Sequence, residues 1–107
     1  MSDLFIRHAE ICKTFSNPKR LEIIDSLRDN VELTASDLLE KIDISKPNLS
    51  QHMAVLVGKG VVKARRDGLN VHYQLSDKRI TQACDIMREV LLSNLEAQAK
   101  AIKKITK

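Results

Sequence analysis

At 107 residues, 43% apolar and 30% charged, the chain has the length of one domain and the make-up of a folded globular protein, which argues against two domains and against a disordered chain. Three aromatic residues (Phe5, Phe15, Tyr73) and no tryptophan predict an aliphatic core and argue against a base-stacking platform for single strands. The net charge of +4 is uneven, −3 over residues 1–45, +5 over 46–79 and +2 over 80–107, so positive potential gathers in one stretch as a phosphate-binding footprint should.

The N-terminus carries no signal-peptide pattern, and no apolar run approaches the ~20 residues needed to cross a bilayer. A cytoplasmic protein with no membrane partner is expected. Residues 3–15 read as a first helix, with Leu4, His8, Ile11 and Phe15 on one stripe and Cys12 at its edge. Ser16-Asn17-Pro18 ends it, and Pro18 opens a second helix over 18–29 with Leu21, Ile24 and Leu27 inward. Val31 to Leu33 reads as a brief strand. Thr34 or Ser36 caps a third helix, and Asp37 stands where a box-like start from Thr34 needs it. Leu38, Leu39 and Ile42 are its apolar residues.

Asp43-Ile44-Ser45 forms a tight corner into a fourth helix over 46–57. Ser45 is its N-cap, and Pro47 costs little so near the start. Leu49, Met53 and Leu56 recur at i, i+4 and i+7 and predict a buried stripe. Lys46, Asn48, Ser50, Gln51 and His52 crowd the other faces. Two short helices joined by a corner, the second rich in small hydrogen-bonding side chains, predict a helix-turn-helix over about 34–57 that offers its second helix to the major groove of double-stranded DNA.

Gly58 and Gly60 break the helical period. Residues 61–66 and 71–75 then alternate with period two around Asp67-Gly68-Leu69-Asn70, predicting a hairpin wing over about 61–75. Val62 and Ala64 fall on one face with Val71, Tyr73 and Leu75, and Lys63, Arg65, His72 and Gln74 on the other, a basic outer face. From Asp77 to about Ile105 no proline or glycine interrupts a last helix, whose seam runs through Ile80, Cys84, Met87, Leu91, Leu95 and Ile102. So long an apolar seam calls for a partner, most simply a second copy of the chain. The fold class expected is α+β, mostly helical, a winged helix-turn-helix of order α-α-(β)-α-α-β-β-α with a long C-terminal dimerisation helix, as a single DNA-binding domain over 1–107.

This order resembles the ArsR/SmtB family of winged-helix repressors over roughly residues 5–95. Phe15-Ser-Asn-Pro-Lys-Arg-Leu-Glu-Ile-Ile24 looks like the family's opening of the second helix. Ile44-Ser-Lys-Pro-Asn-Leu-Ser-Gln-His-Met-Ala-Val-Leu56 looks like its reading helix, and Gly60-Val-Val-Lys-Ala-Arg-Arg-Asp-Gly-Leu-Asn-Val-His-Tyr-Gln-Leu75 like its wing. The resemblance implies a repressor, a homodimer joined through helices 3–15 and 77–105. Its two reading helices would enter successive major grooves of a palindromic operator, with the wings along the flanking backbone.

Carried onto this sequence, the resemblance makes Asn48, Ser50, Gln51 and His52 the candidates for base edges or nearby phosphates, and Lys46 for a phosphate. Asparagine and glutamine can pair with adenine through two hydrogen bonds, which lysine cannot. The plainer reading of His52 is packing or orientation against the third helix. Arg65, Arg66 and Asn70, with Lys63, are the wing's phosphate or minor-groove candidates, set against a wing tip that never touches DNA.

Many members of the family bind thiophilic metals through cysteines in the third helix, and others through an Asp-x-His pair with further ligands on the last helix. Neither pattern is here, since the third helix has no cysteine and Asp77 is followed by Lys78 and Arg79. Cys12 and Cys84 remain. They make no disulfide framework, and a reducing compartment would keep them as thiols. Three readings stand side by side: inert core thiols, a redox or persulfide switch, and a soft-metal or metalloid site drawing on His8, Cys12 and Cys84. No cofactor is required; a thiophilic ion such as As(III) belongs only to the last reading.

No glycine-rich phosphate loop, nucleophile elbow or carboxylate motif supports an enzyme. The rivals are a winged helix used for protein–protein contact, against which the charge of residues 46–79 argues, and a constitutive DNA binder without an effector.

Overall fold

A computed structural model of the chain describes residues 2–106; Met1 and Lys107, the ends of the expected 1–107 unit, lie outside the described residues. In chain order the elements are α1 (Ser2–Thr14), α2 (Pro18–Ser26), a 3-10 turn (Arg28–Asn30), β1 (Leu33–Thr34), α3 (Ala35–Lys41), α4 (Lys46–Gly58), β2 (Val62–Asp67), β3 (Asn70–Leu75) and α5 (Arg79–Thr106). This is the winged helix-turn-helix expected from the sequence.

Each boundary has a local cause. The Asn17 side chain accepts hydrogen bonds from the Lys19 and Arg20 amides at 3.0 and 3.2 Å, while Pro18 fills a first-turn position that has no amide to lose. α2 stops at Ser26, three residues before the expected end, because Asp29 and Asn30 turn into the left-handed region at φ 64° and 62°. Asp and Asn tolerate that region better than other side chains. The turn also displaces the brief strand from the expected 31–33 to Leu33–Thr34. Thr34 and Asp37 form the capping box, each side chain accepting from the other's backbone amide. Ser45 caps α4 through the Asn48 amide at 3.3 Å.

α4 closes in a Schellman motif. The Gly60 amide donates to the Val57 carbonyl at 3.0 Å and the Val61 amide to that of Leu56 at 2.9 Å, with Gly60 at φ 76°. Gly68 at φ 62° opens the two-residue hairpin turn, and Leu69 after it has no positive φ, the pattern of a type II′ turn. The sheet is antiparallel in the order β1-β3-β2, with Ala64 opposite Tyr73 and Arg65 opposite His72. The strands thus run one residue later at β2 and one earlier at β3 than expected.

The core is aliphatic. Ile23, Ile24 and Leu27 of the α2 region, Leu38 and Ile42 of the α3 region, and Leu49, Met53 and Leu56 of α4 interlock with Leu33, Val61, Val62 and Leu75 of the sheet region. Leu21, expected inward, is only half-buried; Ile23 takes the inward position beside Ile24. Among the described residues no buried side-chain polar atom lacks a hydrogen bond. α1 and the outer part of α5 stand apart: every residue of 86–106 is exposed, and the molecule's longest dimension is 63 Å. No described helix is long and apolar enough to cross a membrane.

Leu56 is fully buried where α4, its cap and the sheet meet. Leu56→Ala should cost about 2–5 kcal/mol in urea unfolding. Leu69→Ala, at a position 99% exposed, should stay within about 0.5 kcal/mol of the parent. A loss below about 1 kcal/mol at Leu56 would mean the α4 stripe is not what anchors that helix.

Candidate nucleic-acid interface

The burial of α4 is one-sided. Leu49, Met53 and Leu56 are 0–2% exposed, whereas Lys46, Asn48, Ser50 and Gln51 all lie on the surface. The stripe holds the helix, and the opposite side is left with an ammonium, two amides and a hydroxyl. Such a row suits the donors and acceptors lining a DNA major groove, and α4's thirteen residues make a helix short enough to lie in one.

His52 sits between the two sides, half-buried. Arg20 of α2 donates from Nε to its Nδ1 at 3.2 Å, so the neutral ring carries its proton on Nε2. Burial first, and the Arg20 charge second, hold its pKa below the ordinary 6.5. The orienting role considered for His52 is therefore present, but toward α2 rather than α3. Its Nε2–H remains free to donate outward.

On the wing, Lys63, Arg65, Arg66 and Asn70 are all exposed. The register puts Lys63 opposite Gln74 and Arg65 opposite His72 on one face, and Arg66 opposite Val71 on the other with Ala64 and Tyr73; Asn70 pairs with Asp67 to close the turn. The outer face is not uniformly basic. Arg65 donates to the Glu32 carboxylate from Nε at 3.2 Å and Nη2 at 2.9 Å. That pairing holds Glu32 below the usual carboxylate range and the guanidinium above its own. Gln74 donates to both the main-chain and side-chain oxygens of Asn30 at 3.0 and 2.8 Å. Arg20 and Glu32 are the contributors that sequence reasoning missed, since each meets its partner across more than thirty positions.

The third group of candidates is elsewhere. His8, Cys12 and Cys84 line a groove of about 860 Å³ between α1 and α5, with Ile11, Phe15 and Met87 among its apolar walls. Cys12 is exposed and Cys84 half-buried, and both are free thiols. Burial pushes the Cys84 thiol up from its ordinary value. Among the described residues no group of three His, Cys, Asp or Glu is arranged to hold a metal ion, so His8, Cys12 and Cys84 do not make a three-ligand site within one chain.

A histidine with a depressed pKa binds its proton more readily in the unfolded chain. The contribution of His52 to stability should therefore be fully present above pH 6.5 and be lost as pH falls from there to the lower folded value. In His52→Asn, whose amide oxygen can still accept from Arg20, that step should vanish from urea midpoints measured across this range. An unchanged step would mean the α2–α4 contact is not its source.

The profile of the arsR family of bacterial regulatory proteins matches residues 17–64, which run from the α2 cap through the first half of β2. The arsenical resistance operon repressor of Staphylococcus aureus is 38% identical over 93 residues, 87% of this chain and 88% of that one. The transcriptional activator HlyU of Vibrio cholerae is 31% identical over 80 residues, 75% of this chain and 73% of that one. The crystal structure of Rv0081 from M. tuberculosis superposes with a TM-score of 0.79 at 33% identity, covering 90% of this chain and 96% of that one. With a helix-turn-helix, a wing and relatives that regulate transcription, the chain belongs to the arsR family of bacterial regulatory proteins and is a DNA-binding transcriptional regulator.

Proposed function

We propose that the chain acts in the cytoplasm as a homodimer that lays α4 of each protomer into successive major grooves of a palindromic operator and represses the genes it covers. The observation that carries this reading is the division of α4 into a dry stripe and an exposed row of Lys46, Asn48, Ser50 and Gln51. Gln51 and Asn48 are the base readers, Lys46 and Ser50 contact phosphate or base edges, and His52 donates from Nε2 while Arg20 holds its ring. Lys63, Arg66 and Asn70 meet the backbone, and Arg65 exchanges the Glu32 carboxylate for a phosphate.

Two protomers are favoured by the faces left bare. Leu4, Phe5, Met87, Leu91, Leu95 and Ile102 on α1 and α5 are each 50–68% exposed. Apolar surface of that extent is stable in water when a second copy covers it. Repression is the direction favoured by the S. aureus relative, and HlyU marks activation as the other outcome.

Gln51→Ala should cost about 1–3 kcal/mol on the cognate duplex and almost nothing on random duplex, measured by fluorescence anisotropy at fixed salt. Equal losses on both would remove Gln51 from the readers. Binding of the wild type to random duplex should vanish with added salt, and little binding to random duplex at low salt would favour a protein-docking winged helix instead.

A second reading concerns the effector, and its support is that Cys12 and Cys84 line one groove beside the proposed dimer seam. A thiophilic metalloid or an oxidant taken up there would shift the helices on which the two reading helices depend. Because burial raises its pKa, Cys84 stays protonated at pH 7, and its alkylation by iodoacetamide should still be accelerating past pH 9. Cys84→Ser should abolish the release of bound duplex by As(III) or peroxide. Release unchanged in the variant removes Cys84 from the response, and release absent in the wild type makes the protein a constitutive binder.

A further inference from the structure

α5 is the longest element of the chain and is held only near its start. Ile80 and Cys84 pack against the core and Thr81 is buried, but from Ile86 to Thr106 every residue is exposed. Its seat on the rest of the protomer is thus about two turns of a rod roughly 42 Å long. Apolar packing of that extent is non-directional and by itself sets no angle for the rod. One contact does have direction. Arg28 donates to Asp85 from Nη1 at 3.1 Å and from Nη2 at 2.8 Å, while its Nε and Nη2 donate to Asp25 at 3.1 and 2.7 Å. Among the described residues it is the only side-chain hydrogen bonding between α5 and the α2 region, made through the turn that follows α2. Arg88 adds a looser pairing, 3.4 Å from Asp85 and 3.9 Å from Asp25.

The position of Arg28 is itself fixed. It begins the turn whose next two residues are left-handed, and Gln74 of β3 grips Asn30 at the end of that turn. Two residues on, Glu32 receives Arg65 of β2. Residues 28–32 therefore tie α2 to α5 on one side and to the wing on the other. Isolated surface ion pairs contribute little, but a two-pronged guanidinium shared by two carboxylates has the geometry that makes such a contact count.

We propose that Arg28, through Asp85, is a positioning residue that fixes the angle between α5 and the reading unit, and so sets the half-site spacing the dimer accepts. The inference rests on the dimeric DNA-reading function proposed above. In a dimer joined along α1 and α5, the separation of the two α4 helices follows from where each rod leaves its domain, and a small tilt at the base of a long rod becomes a large displacement at its far end. Half-sites separated by a fixed number of base pairs demand a fixed separation of reading helices. Arg28 touches no DNA in this scheme. It acts on which operators are acceptable, while Gln51 and Asn48 act on which bases are read.

The test is selection from a random 30-base-pair duplex pool by the full-length wild type, Arg28→Ala, Asp85→Asn and the double variant, with thermal melts to establish that each is folded and sedimentation to establish that each is dimeric. The wild type should enrich inverted half-sites at one dominant spacing. Each single variant should enrich the same half-sites at additional spacings, shrinking the preference for the dominant one by roughly three- to thirtyfold. The double variant should be no worse than either single, because the two residues act through one another. A folded variant that keeps the sharp spacing, or that loses affinity equally at every spacing, overturns the role of Arg28. A wild type that binds the pool but enriches no inverted repeat fails earlier, overturning the dimeric reading and this inference with it.

Discussion

A helix that keeps a whole face open to a partner must be held by one flank only, and α4 satisfies this with three side chains. Leu49, Met53 and Leu56 give up water against α2, α3 and the sheet, and a fully buried leucine or methionine contributes roughly 1.5–3 kcal/mol through removal from water alone. The N-cap at Ser45 and the Schellman closure at Gly60 satisfy the two helix ends without spending any residue of the outer face. Lys46, Asn48, Ser50 and Gln51 are thereby kept from structural duty. Their chemistry is available because the structure does not need it.

Around that anchor the electrostatics are of a different order. Arg20 with His52, Arg28 with Asp25 and Asp85, and Arg65 with Glu32 are contacts at or near the surface, and single pairs there have a median worth near zero. What they supply is direction. Each links an element of the helix-turn-helix or wing to a neighbour, and residues 28–32 collect two of them. Stability comes from the aliphatic core, while the relative pose of helix, wing and rod is fixed by charged groups with oriented hydrogen bonds.

The amino-acid sequence discloses the helix-turn-helix because its signals are local. Thr34 and Asp37 are three positions apart, Ser45 caps the helix it precedes, and the α4 stripe repeats within eight residues. The hairpin faces follow from strict alternation around Gly68. What was not legible has a common cause. The early end of α2 depends on two non-glycine residues in left-handed conformation, and the side chain that stabilises the turn, Gln74, lies 44 positions away. The neutralisation of Arg65 by Glu32 and the link from Arg20 to His52 are equally remote in sequence, so periodicity carries no trace of them. The two cysteines could be placed on their helices from spacing; that they share one groove is a matter of tertiary packing.

The sheet order leaves β2 at an edge, bonded to β3 on one side and to no strand on the other among the described residues. An unpaired edge is a template on which another chain can continue the ladder, and natural proteins guard such edges with charge. Lys63, Arg65 and Arg66 run consecutively but for Ala64 along this strand, so two copies meeting edge to edge would bring six cations together. The cations that line this edge thus keep it from polymerising with itself, and a wing stripped of charge would surrender solubility.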